Sequence, residues 1–177
     1  GPDGEGQASR PDCELGFRRL SIVDVEAPSP PFANEDRSIW SMANGEIYNS
    51  RELIPRLKAR GHDFRTRVDT EVIPHLYEEY GVDLVDHLDG MFAFCIWDER
   101  TRTLLLGRDR AGEKPLYYYD GPENFVLASE IKALVVRDDV PRRLDPEGLD
   151  TFLTYEFIVA PHTIFEGIRK LPAAHLL

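Results

Sequence analysis

Two runs of the chain are apolar on both alternating faces rather than on one. Ile39-Trp40-Ser41-Met42-Ala43 and Met91-Phe92-Ala93-Phe94-Cys95-Ile96-Trp97 predict strands covered on both faces. Leu15 to Val25 and Thr103 to Gly107 read as further strands, the latter returning from the charged turn Asp98 to Arg102 as a hairpin. Pro115 to Tyr119 and Phe125 to Ala128 make another hairpin around Asp120-Gly121-Pro122. Elsewhere the spacing is helical. Asn49, with Glu52 three residues on, reads as a capping box before the stripe Leu53, Ile54 and Leu57, ended by Gly61. Asp69-Thr70 opens a second helix with Val72, Ile73, Leu76, Tyr77 and Tyr80 on one face, closed by Gly81. Pro55 kinks the first helix, and Pro74 requires a place in the first turn of the second.

Shorter elements follow the same logic. Leu84 to Leu88 is a helical piece, Ser129 caps a helix through Val136, and Asp145-Pro146 is an N-cap with proline at the first helical position, starting a helix to about Tyr155. The opening to Glu14 reads as turn-rich, and Glu26 to Arg37, with Pro28, Pro30 and Pro31, as a surface loop. Asn44-Gly45-Glu46-Ile47-Tyr48-Asn49 reads as a polar elbow between a strand and a helix. Hairpin-joined strands imply antiparallel sheets, and strands apolar on both faces imply a layer above and below. The expected class is therefore α+β, two packed sheets with the mid-chain helices over one of them.

Composition narrows the function. Of 177 residues, 42% are hydrophobic and 30% charged, with a formal net charge of −11 and no basic run. That balance argues against binding a phosphate backbone, so no nucleic acid partner is expected. No apolar stretch is long enough to cross a bilayer and no leader opens the sequence, so the expectation is no membrane and a cytoplasmic setting. Cys13 and Cys95 lack CxxC spacing, and Cys95, inside an apolar run, reads as a buried inert thiol. The five histidines, at 62, 75, 87, 162 and 175, show no metal-ligand spacing, so no metal is expected. Gly1-Pro2-Asp3-Gly4-Glu5-Gly6 lacks the lysine and preceding strand of a phosphate-binding loop. Glu78-Glu79 and Asp138-Asp139 read as solvated surface.

Several separated segments occur in a telling order. They are Gly1-Pro2-Asp3-Gly4, Arg19-Leu20-Ser21-Ile22-Val23-Asp24, Asn44-Gly45-Glu46-Ile47-Tyr48-Asn49, Asp69-Thr70-Glu71-Val72-Ile73, Asp89-Gly90-Met91-Phe92-Ala93-Phe94, Gly107-Arg108-Asp109-Arg110, Lys114-Pro115-Leu116-Tyr117-Tyr118 and Ser129-Glu130-Ile131-Lys132-Ala133-Leu134. Together they resemble the glutaminase domain of glutamine-hydrolysing asparagine synthetase, a class II glutamine amidotransferase of the N-terminal-nucleophile hydrolase fold. The resemblance covers nearly the whole chain. It implies a four-layer αββα sandwich of antiparallel sheets that releases ammonia from glutamine for ATP-dependent amidation of aspartate elsewhere in the enzyme. It further implies glutamine as ligand, no cofactor in this domain, and ATP and Mg in a synthetase domain absent from this chain. A homodimer is also expected. Residues 1–144 would be a partial amidotransferase domain lacking its N-terminal cysteine strand, and 145–177 its end and the bridge toward that synthetase domain.

The resemblance also assigns roles by position. Arg19 would hold the glutamine α-carboxylate, a pairing a guanidinium makes bidentately; Asp69 and Glu46 would hold the α-ammonium. Asn44, through its amide, and Gly45, through its N–H, would form the oxyanion hole, one such donor being worth roughly 3 kcal/mol in the transition state. Leu20, Ser21, Ile22 and Val23 would line the pocket. The family's nucleophile is an N-terminal cysteine whose own α-amine is the base. Residue 1 here is glycine, so this chain alone is expected to be inactive. Phe17 at a usual histidine, Glu113 at a usual apolar position and the Pro28 to Pro31 loop depart from the pattern. Two other readings share these motifs: a non-catalytic glutamine-binding or docking module, and the amidotransferase domain of a hexosamine or purine pathway enzyme.

Overall fold

The computed structural model describes residues 4–19 and 28–177. They divide into two compact units, one ending at Leu106 and one running from Gly107 to Leu177. In the first, β1 (Gly4–Arg10) and β2 (Cys13–Arg19) form an antiparallel hairpin. A four-stranded sheet follows in the order β3 (Phe32–Ala33), β4 (Ile39–Ile47), β5 (Gly90–Asp98), β6 (Thr103–Arg108). Between β4 and β5 lie α1 (Ser50–Lys58) and α2 (Val72–Tyr80), the second entered through a 3-10 turn, Asp69–Glu71.

The two-sided apolar runs are explained by what lies on each face of β4 and β5. One face, Ile39, Ala43 and Ile47 with Phe92, Phe94 and Ile96, packs against Leu53 and Leu57 of α1 and Val72, Ile73 and Leu76 of α2. The opposite face carries Trp40 and Met42, opposite Trp97 and Cys95. Over it lies the guanidinium of Arg10, 5.2 Å from the Trp40 ring centre and paired with Glu99. Burying side chains of this size is worth about 1.5–3 kcal/mol each, and here both faces of one strand pair contribute.

In the second unit β7 (Tyr117–Asp120) lies between β8 (Phe125–Ala128) and β9 (Ile168–Lys170), all antiparallel. Helix α3 (Ile131–Val135) covers this sheet through Leu134, which packs with Ile168 and Val140. Helix α4 (Pro146–Tyr155) begins at Asp145, whose carboxylate accepts from the N–H groups of Glu147 and Gly148 at 2.9 and 3.1 Å. That cap follows the sequence reading. The Gly107-Arg108-Asp109-Arg110 segment is tied down locally: the Arg108 guanidinium donates to the carbonyls of Lys114, Leu171 and Gly112, and Asp109 accepts from the N–H groups of Glu113 and Lys114. Each unit by itself is thus an antiparallel sheet with helices, the α+β class expected.

Four local readings need correction. The turn-rich opening is a seven-residue strand, because glycines at covered positions, Gly4 and Gly6, and polar residues at the exposed ones hid a ladder fixed by its partner β2. The elbow at Asn44 is not a turn there: β4 continues through Ile47, and the bend comes at Tyr48-Asn49. Asn49 makes no side-chain cap. Its amide instead donates to the His87 carbonyl at 2.8 Å while its oxygen accepts from the Asp89 N–H at 3.1 Å. Helix α3 is capped at Glu130 rather than Ser129, without a side-chain bond. Two short strands, β3 inside the proline loop and β9, carry too few residues for an alternation to register.

Candidate functional site

The continuation of β4 past Ala43 depends on Gly45. It pairs with Phe92 across the ladder at φ +143°, a backbone setting that side-chain-bearing residues rarely adopt. A Cβ at this position would collide with the Met91 carbonyl oxygen and stand 2.7 Å from the Phe92 Cα. Glycine therefore lets two backbones approach and carries the strand to Glu46 and Ile47. On β4, Asn44 is exposed and Glu46 half-buried, at positions of the same face.

Asp69 reaches the end of this strand from the other side. Its Oδ2 accepts the Ile47 N–H at 2.6 Å, and among the described residues no donor reaches Oδ1. The loop before it is held by Glu71, only 2% exposed, whose carboxylate accepts from the N–H groups of Arg65 and Thr66, both at 2.8 Å, and from the Thr66 hydroxyl at 2.5 Å. Glu46 and Asp69 consequently line one cavity of about 760 Å³, together with Tyr48, Arg51, Lys58 and Arg67. Both charge signs face it, which is the requirement for a zwitterionic amino acid.

The structure brings together some of the expected residues and not others. Glu46 and Asp69 share the cavity, with Asn44 and Gly45 on the adjoining strand positions. Arg19 ends β2, opposite Gly4, with 6% of its surface exposed, and is not among the described residues lining this cavity. Leu20, Ser21, Ile22 and Val23 lie outside the described residues. Arg51 and Arg67 were not anticipated. A basic residue two positions before Asp69 was the available sign, since Arg65, Arg67 and Asp69 lie in a segment without apolar periodicity.

Neither thiol is poised for attack. Burial raises the Cys95 thiol to about 12. Cys13 is pushed up to about 11, first by burial and then by the negative charges of Glu14 and Glu99. Both are poor nucleophiles near neutral pH.

An α+β protein with antiparallel sheets and a cleft of both charge signs at a strand end is compatible with the amidotransferase class that the ordered motifs resemble. Comparison with known proteins sharpens this. A family model described as glutamine amidotransferase domain matches residues 1–177, and the chain belongs to that family. It is 39% identical over 180 residues to asparagine synthetase [glutamine-hydrolyzing] 3 of Bacillus subtilis (strain 168), covering 100% of this chain and 29% of the relative. It is 48% identical over 143 residues to asparagine synthetase [glutamine-hydrolyzing] 2 of Oryza sativa subsp. japonica, covering 80% and 24%. The chain thus spans about a quarter of the length of these curated relatives. Among solved structures, glutamine phosphoribosylpyrophosphate amidotransferase from B. subtilis superimposes with a TM-score of 0.55 at 28% identity, over 68% of this chain and 28% of that one.

Proposed function

We propose that this domain binds free glutamine in the cleft between the end of β4 and the segment leading into α2, as the glutamine site of an asparagine synthetase. The observation that carries this is the convergence of Glu46 and Asp69 on one cavity, with Asp69 fixed by the Ile47 N–H. In this reading the free oxygen of Asp69 and the Glu46 carboxylate accept the α-ammonium. The α-carboxylate meets the cations that line this cavity, Arg51 and Arg67, rather than Arg19, which is not among the described residues lining it. The Asn44 amide and the Gly45 N–H meet the amide oxygen as it gains negative charge.

Attack on the amide carbon needs a thiolate with a base beside it. The thiols of this chain are Cys13 and Cys95, both held well above neutral pH. The 177-residue polypeptide by itself therefore binds glutamine without hydrolysing it; hydrolysis belongs to the enzyme carrying an N-terminal cysteine. Ammonia released there would amidate aspartate in an ATP- and Mg-dependent synthetase domain. Exposed apolar side chains on and after α4, Phe152, Leu153, Tyr155 and Phe157, supply a surface such a domain would cover. The proposed setting is cytoplasmic, with pairing into homodimers.

The test is calorimetric titration of the polypeptide with glutamine, with glutamate and asparagine as comparators, beside a coupled assay for glutamate release. Saturable heat with glutamine and no glutamate above a blank is expected. Equal heats for all three ligands, or none for glutamine, would overturn the assignment of the site. Clear hydrolysis would overturn the account of the two thiols.

A further inference from the structure

Three side chains from three segments converge beside α2. Glu35 comes from the loop after β3, His62 from the loop after α1, and His75 from α2 itself. One ligand-type atom of each lies within 4.8 Å of the other two. Glu35 Oε1 stands 3.3 Å from His62 Nδ1 and 3.3 Å from His75 Nδ1. An ion held at about 2.0–2.1 Å by nitrogen and oxygen ligands in a tetrahedron separates those ligands by about 3.3 Å. Two edges of the triangle already have that length.

The surroundings of His75 support an ion there. His75 has no exposed surface, and neither of its ring nitrogens has a hydrogen-bond partner. A buried polar group left in that state is costly, and a bound ion is one of the partners that would satisfy it. Its close neighbour Phe64, 4.5 Å away between ring centres, offers no acceptor.

His62 places Nε2 3.1 Å from Glu79 Oε1, and Glu79 is paired in turn with Arg60. With Nε2 directed at Glu79, Nδ1 is the ring nitrogen turned toward Glu35 Oε1. A carboxylate behind a histidine is also the outer support that metal-bound imidazoles take. Glu35 is oriented by the Asp63 N–H, which donates to Oε1 at 2.7 Å.

We propose that Glu35, His62 and His75 bind one divalent transition-metal ion of the zinc class, as a clamp between α2 and the loops after β3 and α1. Two imidazole nitrogens and one carboxylate oxygen favour zinc over magnesium or calcium, and Glu35, the exposed member, leaves the fourth position to water. The clamp restrains the start of the segment from His62 to Asp69, whose far end carries Arg67 and Asp69 at the cavity. It does not depend on what that cavity binds.

The experiment uses the polypeptide stripped with a chelator and exchanged into chelator-free buffer. It is titrated with Zn2+ by calorimetry and with Co2+ by visible absorption, and its melting is followed with and without Zn2+. Expected are about one equivalent bound, intense Co2+ bands of a four-coordinate ion, and a Tm rise of roughly 5–10 °C at saturating Zn2+. His62→Gln and Glu35→Gln both lie outside helices and strands, so they spare the buried His75. Each is expected to weaken Zn2+ binding at least about 100-fold and to abolish the Tm rise while far-UV circular dichroism stays native. Wild type taking up no more Zn2+ than these variants, as it would were His62 an imidazolium bridging Glu35 and Glu79, overturns the proposal.

Discussion

Replacing Glu71 by glutamine is the sharpest test of how the loop carrying Asp69 is held. The Glu71 carboxylate accepts three hydrogen bonds, from the N–H groups of Arg65 and Thr66 and from the Thr66 hydroxyl, while only 2% exposed. Glutamine keeps one acceptor oxygen and turns an NH2 donor toward donors on the other side. At least one bond is lost and one backbone N–H is left facing another donor. Hydrogen bonds to a charged group are worth about 1.5–3 kcal/mol each, and losses within one network do not add fully, so the expected cost is about 2–4 kcal/mol. For a chain of this length that lowers Tm by roughly 5–15 °C. Urea denaturation gives the free energy, and hydrogen exchange at the Arg65 and Thr66 amides gives the local effect. At least one of the two amides should exchange faster in Glu71→Gln than in wild type, while the β5 amides keep their protection. A midpoint within about 0.5 kcal/mol of wild type, with both amides still protected, would refute the claim that this buried carboxylate holds the loop.

Three further outcomes follow from the structure. Gly45→Ala places a methyl group against the Met91 carbonyl and the Phe92 Cα at a positive φ, so the expected loss exceeds about 4 kcal/mol; a soluble variant of near-native urea midpoint would contradict the close approach of β4 and β5. Because burial raises both thiols, the thiolate fraction at pH 7.5 is small; iodoacetamide should modify Cys13 about 100-fold more slowly than a free thiol and Cys95 only after unfolding, as read by intact mass. Asp145→Ala removes the two cap bonds of α4 and should cost about 1 kcal/mol in urea denaturation, with Asp145→Ser recovering most of it.

Much of the fold could be read where one residue type carries a local constraint. Asp145 before Pro146 marked a helix start because the cap and the proline act within one turn. The runs at 39–43 and 91–97 marked central strands because both faces are covered. Asn49 misled, since a capping side chain and one that clamps a distant loop look alike in sequence; its partners His87 and Asp89 are set by tertiary structure. At the site, Glu46 and Asp69 were named through ordered motifs, whereas Arg51 and Arg67 belong to no motif and were brought to the cavity only by the packing of α1 and the loop before Asp69. The Glu35, His62 and His75 cluster was illegible for the same reason. Spacings of 27 and 13 residues match no local ligand pattern, and the loops must fold before the three meet.

The most direct test of the glutamine site is amide chemical-shift mapping of the labelled polypeptide during titration with glutamine. The Ile47 amide, which donates to Asp69, should shift together with Gly45, Glu46 and the amides from Arg67 to Glu71, and Asp69→Asn should weaken the titration at least about tenfold. Shifts confined to other parts of the chain, or an Asp69→Asn variant that titrates like wild type, would contradict the assignment of this cleft to glutamine.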